Sequence, residues 1–146
     1  MNPDQVLQDG VAILDGTMRP HGFTFVPGDS GIGSGGRFAS GTFVRAERRL
    51  ELHFRHSLGL VAYHLGPIAR SHEEFMRAVG SGAGRYPGFS DDPLQAFRDL
   101  AHDLERYGQA FLSGPDAELR AAFDRAAAHP RPQGLGRLSP GERPDR

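Results

Sequence analysis

The chain has 146 residues and a formal charge of −1, from 17 basic and 18 acidic residues, and it contains no cysteine. This length suits one domain, which can bury roughly 68% of the surface of its unfolded chain. The lack of cysteine excludes disulfides, thiol catalysis and cysteine-based zinc sites. The near-neutral charge gives no electrostatic reason to expect nucleic acid or anionic lipid as a partner.

All 17 strongly basic residues are arginines, scattered from Arg19 to Arg146 with acidic residues between them. This pattern indicates the composition of a GC-rich bacterial genome and does not indicate a phosphate site. No apolar run approaches the roughly 20 residues of a membrane span, and residues 1–4 lack the basic-then-apolar order of a signal peptide. We therefore expect a cytoplasmic protein that does not enter the membrane.

A helix is predicted at the N-terminus, because Asn2 caps well and Pro3 is tolerated at the first helical position. Gly10 lies inside this helix and weakens it by roughly 1 kcal/mol relative to alanine. The helix ends near Gly16. Its apolar residues fall on one stripe: Val6, Leu7, Val11 and Leu14.

Four strands are predicted next, at residues 23–26, 37–46, 50–55 and 60–65. The last two are the clearest, because apolar and polar residues alternate along both of them with a period of two. Residues 27–36 are rich in glycine and predict a flexible loop between the first two strands.

The third and fourth strands are expected to pair with their apolar residues on one buried face: Leu50, Leu52, Phe54, Val61, Tyr63 and Leu65. A two-residue loop at 57–58 gives the pairs Leu50–Leu65, Leu52–Tyr63 and Phe54–Val61. A three-residue loop with Gly59 in the left-handed conformation fits the turn chemistry better but mixes the faces. We favour the first register, because a one-residue slip turns a whole apolar set towards water.

Three helices are predicted after the sheet. Ser71 and Glu74 form a capping box, with His72 in the cap, for a helix that stops at Gly80. The strongest helix covers residues 93–112, and its apolar face is expected to pack across the buried face of the sheet. Its opposite face carries Asp99, His102, Asp103 and Arg106. Pro115 and Asp116 open the last helix.

The sequence thus predicts one α+β domain over residues 1–128. It consists of a four-stranded antiparallel meander sheet with an N-terminal helix and three C-terminal helices packed mainly on one face. Residues 129–146 are rich in proline, glycine and arginine and predict a disordered tail.

Gly31, Gly33 and Gly36 match the spacing G-x-G-x-x-G. The dinucleotide-binding version needs a helix directly afterwards, whereas a strand is predicted here. The kinase version needs a lysine on a nearby strand, and the chain has no lysine. We therefore predict no cofactor and treat these glycines as a contact loop.

The polar face of the hairpin carries Glu51, His53, Arg55 and His64, with Glu51 expected directly opposite His64. Such groups can bind a metal ion or move a proton. A solvated sheet face with one acid–histidine pair, worth a few tenths of a kcal/mol, explains them more simply. Because His53 and His56 point in different directions, we predict no metal site.

The Arg19-Pro20-His21-Gly22-Phe23 segment follows the N-terminal helix and precedes the meander and the later helices. Over residues 3–125 this order resembles small bacterial domains of unknown function, some of which are immunity proteins of toxin systems. The resemblance implies stoichiometric partner binding and no catalysis, and it transfers no functional residues to this chain.

We therefore predict a non-enzymatic interaction protein that contacts a protein partner with its polar sheet face and its glycine loop. Self-association through an open sheet edge is a further possibility. The alternative is a small-ligand-binding or hydrolytic enzyme that uses Glu51, His53, Arg55 and His64. No catalytic residue is predicted.

Overall fold

A computed structural model describes residues 2–80 and 84–128 of the chain. In this part, five antiparallel strands form one sheet in sequential order. The strands are Thr24–Gly33 (β1), Gly36–Arg45 (β2), Arg48–Phe54 (β3), Leu58–Leu65 (β4) and Ile68–Ser71 (β5). The helices are Pro3–Met18 (α1), His72–Ala78 (α2), Gln95–Tyr107 (α3), Gln109–Leu112 (α4) and Asp116–Ala128 (α5).

The predicted α+β class with an antiparallel sheet is confirmed. The local signals at two helix starts are also confirmed. The Asn2 side chain accepts the Asp4 backbone N–H at 3.0 Å, and Ser71 and Glu74 form both hydrogen bonds of a capping box for α2. The predicted disordered tail, 129–146, lies outside the described residues.

The predicted flexible loop at 27–36 is wrong. These residues form the ends of β1 and β2, joined by a turn at Ser34 and Gly35. Residues 30–33 pair with 36–39, and a bulge between Pro27 and Ser30 absorbs the extra residues. The many glycines do not make this segment a loop, because its pairing with β2 stabilises an extended conformation. Gly36 supplies the positive φ of 105° that the turn requires.

Two further boundaries differ from the prediction. The sheet continues past Gly66, which takes a left-handed φ of 58° in a turn that leads into the unpredicted strand β5. The long helix predicted at 93–112 begins at Gln95 and breaks at Gly108, so that α4 is a separate element. Glycine is among the weakest helix formers, which explains the break.

The predicted register of β3 and β4 is wrong by two residues. Leu50 lies opposite Tyr63, and Leu52 lies opposite Val61. The turn closes earlier than predicted, between Phe54 and Leu58, and a bulge at that end absorbs the odd residue. A shift of two keeps every side chain on its predicted face, so the six apolar residues are all buried as predicted.

The helices share the inner face of the sheet, which we define as the face with the buried side chains. Phe97 of α3 stacks on Phe54 of β3, with the ring centroids 6.1 Å apart. Phe111 of α4 meets Tyr63 of β4 edge-on at 5.0 Å. The predicted cover by a single long helix is therefore divided between two elements.

Arg48, which is 4% exposed, fastens the C-terminal helices to the start of β3. Its guanidinium donates to the carbonyls of Ala110 and Phe111, at 3.1 and 2.8 Å, and to that of Gly114. It also pairs with the Asp116 carboxylate at 2.8 Å. These carbonyls end α4 and precede α5, so one buried cation satisfies acceptors that the helix ends leave open.

At Gly10, α1 comes into close contact with Phe97 of α3. A Cβ at this position would lie 2.5 Å from Cε1 of the Phe97 ring. Gly10 lowers the stability of the helix itself, but only glycine leaves room for the Phe97 ring at this position. The same two helices are also joined by a hydrogen bond, which the Thr17 hydroxyl donates to the Glu105 carboxylate at 2.6 Å.

Gly10→Ala should therefore lower the free energy of unfolding by about 1–3 kcal/mol, the usual cost of overpacking a core, although alanine is the better helix former. Gly16→Ala is the matched control, because it lies in the same helix with no atom within 4 Å of an added Cβ. It should raise the stability by up to about 1 kcal/mol. Urea unfolding of both variants measures the two effects, and equal stabilisation would contradict the assigned contact.

Candidate functional site

The four predicted site residues lie on the outer face of the sheet, opposite the helices. Side chains along β3 alternate between buried and partly exposed, and Glu51 and His53 belong to the partly exposed set. Arg55 and His64 are also partly exposed. The structure divides the four residues into two groups and does not bring all of them together.

The first group is a row of three polar side chains. His64 Nε2 lies 2.8 Å from Glu51 Oε1, and the Arg49 guanidinium lies 3.4 Å from His64 Nδ1. Arginine can only donate, so Nδ1 accepts and the proton on Nε2 is donated to the carboxylate. The expected position of Glu51 directly opposite His64 is wrong, since His64 pairs with Arg49, and the two side chains meet diagonally instead.

The second group is a stack at the other end of β3. The rings of Phe38 and His53 are 5.4 Å apart and nearly parallel, with 15° between their planes. The guanidinium carbon of Arg55 lies 5.7 Å from the centroid of the same phenyl ring. Of the three predicted contact glycines, Gly31 and Gly33 lie in β1 and Gly36 opens β2. They form strand ends and not the phosphate-binding turn that their spacing suggests.

A buried polar chain that the sequence did not reveal lies on the inner face. The Tyr63 hydroxyl is 2.7 Å from His72 Nδ1, and His72 Nε2 is 3.0 Å from Asp103 Oδ2. The carboxylate can only accept from Nε2–H, so Nδ1 carries no proton and accepts from the tyrosine hydroxyl. This chain joins β4, α2 and α3.

Asp103 is the last member of this chain, and its carboxylate is fully buried. The backbone N–H groups of Arg85 and Tyr86 donate to its carboxylate at 2.7 and 2.9 Å, and His102 Nδ1 lies 3.0 Å away. Burial favours the neutral acid, but the four donors outweigh burial and hold the pKa of Asp103 below its ordinary value. The carboxylate therefore fixes the start of segment 84–87 to α3.

Burial also sets the protonation of the other members. It lowers the pKa of His72, and the neighbouring Asp103 offsets only part of that effect. It raises the pKa of the Tyr63 hydroxyl well above its usual range, and Asp103 adds to the rise. It raises the pKa of Tyr86 to about 12. A neutral imidazole between a phenol and a carboxylate is the result.

The order hydroxyl, imidazole, carboxylate is that of a catalytic triad, but the chemistry differs. A nucleophile must reach substrate and needs a lowered pKa or a base that activates it. The Tyr63 hydroxyl lies in the core, without exposure, and its pKa is raised. The chain therefore acts as a structural connection between elements.

The sequence offered little signal for this chain. Local spacing places His72 in a helix cap, Asp103 on the polar face of its helix and Tyr63 in the apolar core. Each assignment follows from local spacing, whereas the contacts join residues separated by 9 and 31 positions. Only the tertiary packing brings the three together.

Three cavities in the described part of the chain lie away from the four predicted site residues. A groove of about 440 Å³ is lined by β4, the start of α2 and Tyr86. A crevice of about 280 Å³ lies between α1 and the bulge of β1. A cleft of about 150 Å³ holds His56 beside Asp91, Asp92 and Asp99. None of these three is lined by Glu51, His53, Arg55 or His64.

Within residues 2–80 and 84–128, no three histidine or acidic side chains are grouped so that they could hold a metal ion. In the same ranges, none of the helices has the length and apolar character needed to cross a bilayer. A comparison of the chain with protein-family models, curated proteins and solved structures found no match.

The buried imidazole makes stability depend on pH. Because the pKa of folded His72 lies below the ordinary 6.5, the unfolded chain takes up a proton first as the pH falls. Stability should decline from about pH 6.5 downwards, with a slope of at most about 1.4 kcal/mol per pH unit for this proton. The lowered pKa of Asp103 adds a second loss below its ordinary value of 3.8.

His72→Gln should be less stable at neutral pH, because it disturbs both hydrogen bonds, and should lose most of the slope between pH 6.5 and 5. His56→Gln is the control, since that side chain is exposed and should keep the wild-type slope. Chemical unfolding at a series of pH values measures both. An unchanged slope in His72→Gln would contradict the account, because it would mean that His72 has the same pKa in the folded and the unfolded chain.

Proposed function

We propose that this chain is a non-enzymatic protein-interaction domain that binds a protein partner through the outer face of its sheet. The supporting observation is the one-sided packing of the helices. On β3, every second side chain is buried beneath them, and the alternate side chains remain partly exposed. An antiparallel sheet with one open face offers a broad, nearly flat surface with fixed side chains.

The composition of the outer face suits a protein partner. Val26 is 51% exposed and Leu60 is 40% exposed, so apolar area is available on the edge strand β1 and on β4. The polar row and the aromatic stack lie beside these residues. Mixed apolar and polar surfaces that contain aromatic and arginine side chains are typical of protein interfaces.

The arrangement of the four outer-face residues favours surface binding over catalysis. A small-ligand site surrounds most of its ligand with a concave wall. Glu51 and His64 satisfy each other in the polar row, while His53 and Arg55 belong to the separate stack. Groups that do not converge on one point cannot act together on one substrate atom.

More specifically, we propose that the protein has an immunity-type role. It would inhibit a bacterial toxin by binding it stoichiometrically in the cytoplasm. The order of elements over residues 3–125 supports this form. A toxin gene adjacent to the gene for this chain would identify the partner, and the purified pair should form a one-to-one complex. Turnover of a small molecule by the chain alone would argue for the enzyme instead.

The direct test places a photo-crosslinking amino acid at Ala62, on the outer face, and at Ala121, exposed on α5. In cells that express the protein naturally, we expect one partner to be captured at position 62 and not at 121. The purified partner should bind the wild-type chain, because the face that it contacts is already formed.

Ala62→Arg should abolish that complex, since a long charged side chain would stand on the contact surface. Ala121→Arg makes the same change on the helical side and should leave binding intact. Isothermal titration with the captured partner measures both. Capture at both positions, or equal binding by both arginine variants, would place the interface elsewhere.

A further inference from the structure

Arg55 follows β3 on the outer face and has no charged partner in the described ranges. Its side chain makes no hydrogen bond and no ion pair with residues 2–80 or 84–128. The guanidinium rests instead beside the Phe38 ring, which is itself stacked on His53. None of the five N–H donors of the guanidinium is used in a hydrogen bond with the described residues.

The turn between β1 and β2 forms a second support for this side chain. A Cβ at Gly35 would overlap Nη1 and would lie 2.9 Å from the Cζ of Arg55, and a Cβ at Gly33 would lie 3.5 Å from Nη2. The guanidinium thus occupies the space that a side chain at Gly35 would need. The Phe38 ring and the turn at Gly35 therefore restrict the Arg55 side chain in the unbound protein.

Within the described residues, no acidic side chain is bonded to the guanidinium of this stack. The nearby carboxylate of Glu51 is already bonded to His64. Arg37, at the tip of the hairpin, is exposed and also makes no ion pair among the described residues. A guanidinium that is weakly hydrated and held beside an aromatic ring binds carboxylates well, because its fork of donors matches both oxygens.

We infer that Arg55, supported by Phe38 and Gly35, is the anchor of the outer face and receives a carboxylate from an acidic segment of the protein partner. This inference rests on the proposed function and adds the chemistry of the partner. Arginine is enriched among the few residues that dominate the binding energy of protein interfaces. Nucleic acid fits less well, because phosphate-backbone binding depends on many cations and this chain carries a net charge of −1.

The test follows the Nε–H signal of Arg55 by NMR while a hexaglutamate peptide is added to the full chain. The expected result is a saturable shift at Arg55 and none at the Nε–H of Arg120 on α5. A hexaglutamine peptide should cause no shift, because it lacks charge. No shift with hexaglutamate, or equal shifts at both arginines, would overturn the inference.

Three variants separate charge from position. Arg55→Gln should weaken hexaglutamate binding about tenfold, the loss expected for one charge-assisted pair. Gly35→Ala keeps the charge but displaces the guanidinium, and should also weaken binding without changing stability, since only the end of a flexible side chain must move. Arg120→Gln matches the change in net charge and should bind like wild type.

Equal weakening by Arg55→Gln and Arg120→Gln would show a general charge effect and would overturn the anchor. Tighter binding of a thymidine hexanucleotide than of hexaglutamate would also overturn it, in favour of a phosphate ligand. A negative result for the Arg55 anchor can be distinguished from a negative result for the proposed interaction function. If cross-linking at Ala62 still captures a partner, the interface stands and only its acidic anchor is lost.

Discussion

The buried carboxylate of Asp103 is the constraint on which the arrangement of this domain depends. It accepts four hydrogen bonds, from the backbone at Arg85 and Tyr86 and from two imidazoles. A buried charge is tolerated only when it is satisfied in this way, so any rearrangement of α3 leaves donors and carboxylate without partners. Through His72 the same group reaches β4. The helices are thereby fixed to one side of the sheet.

The outer face of the sheet is open because the helices are held on the inner face. Since the helices α2, α3 and α4 are all held against the inner face, the alternate residues of β3 and β4 have no cover from them. Polar pairing satisfies part of this outer face, as in the bond between Glu51 and His64. Arg55 is left without a charged partner within the described residues and is held in place by packing alone. A surface of this kind is suited to recognise a partner and unsuited to enclose a substrate.

Local signals in the sequence predict the helix starts and the buried faces of the strands. They do not predict features that depend on strand pairing or on packing between distant elements. The period of two in β3 and β4 predicted which residues are buried. It could not separate two registers that differ by two residues, because both place Leu52 and Tyr63 on the inner face. The glycines of segment 27–36 predict a loop because of their backbone entropy, but pairing between β1 and β2 offsets that entropy. The chain from Tyr63 to Asp103 joins three elements, and no local pattern encodes such a contact.

The central claim is that the free protein has a closed inner face and an open outer face. Methyl relaxation in the presence of a soluble paramagnetic agent measures this contrast directly. The methyl groups of Val26 and Leu60 should relax strongly, and those of Leu50 and Leu52 should be protected. Equal protection of all four residues in the isolated 146-residue chain would contradict the claim, because another part of the chain or a second copy would then already cover the outer face.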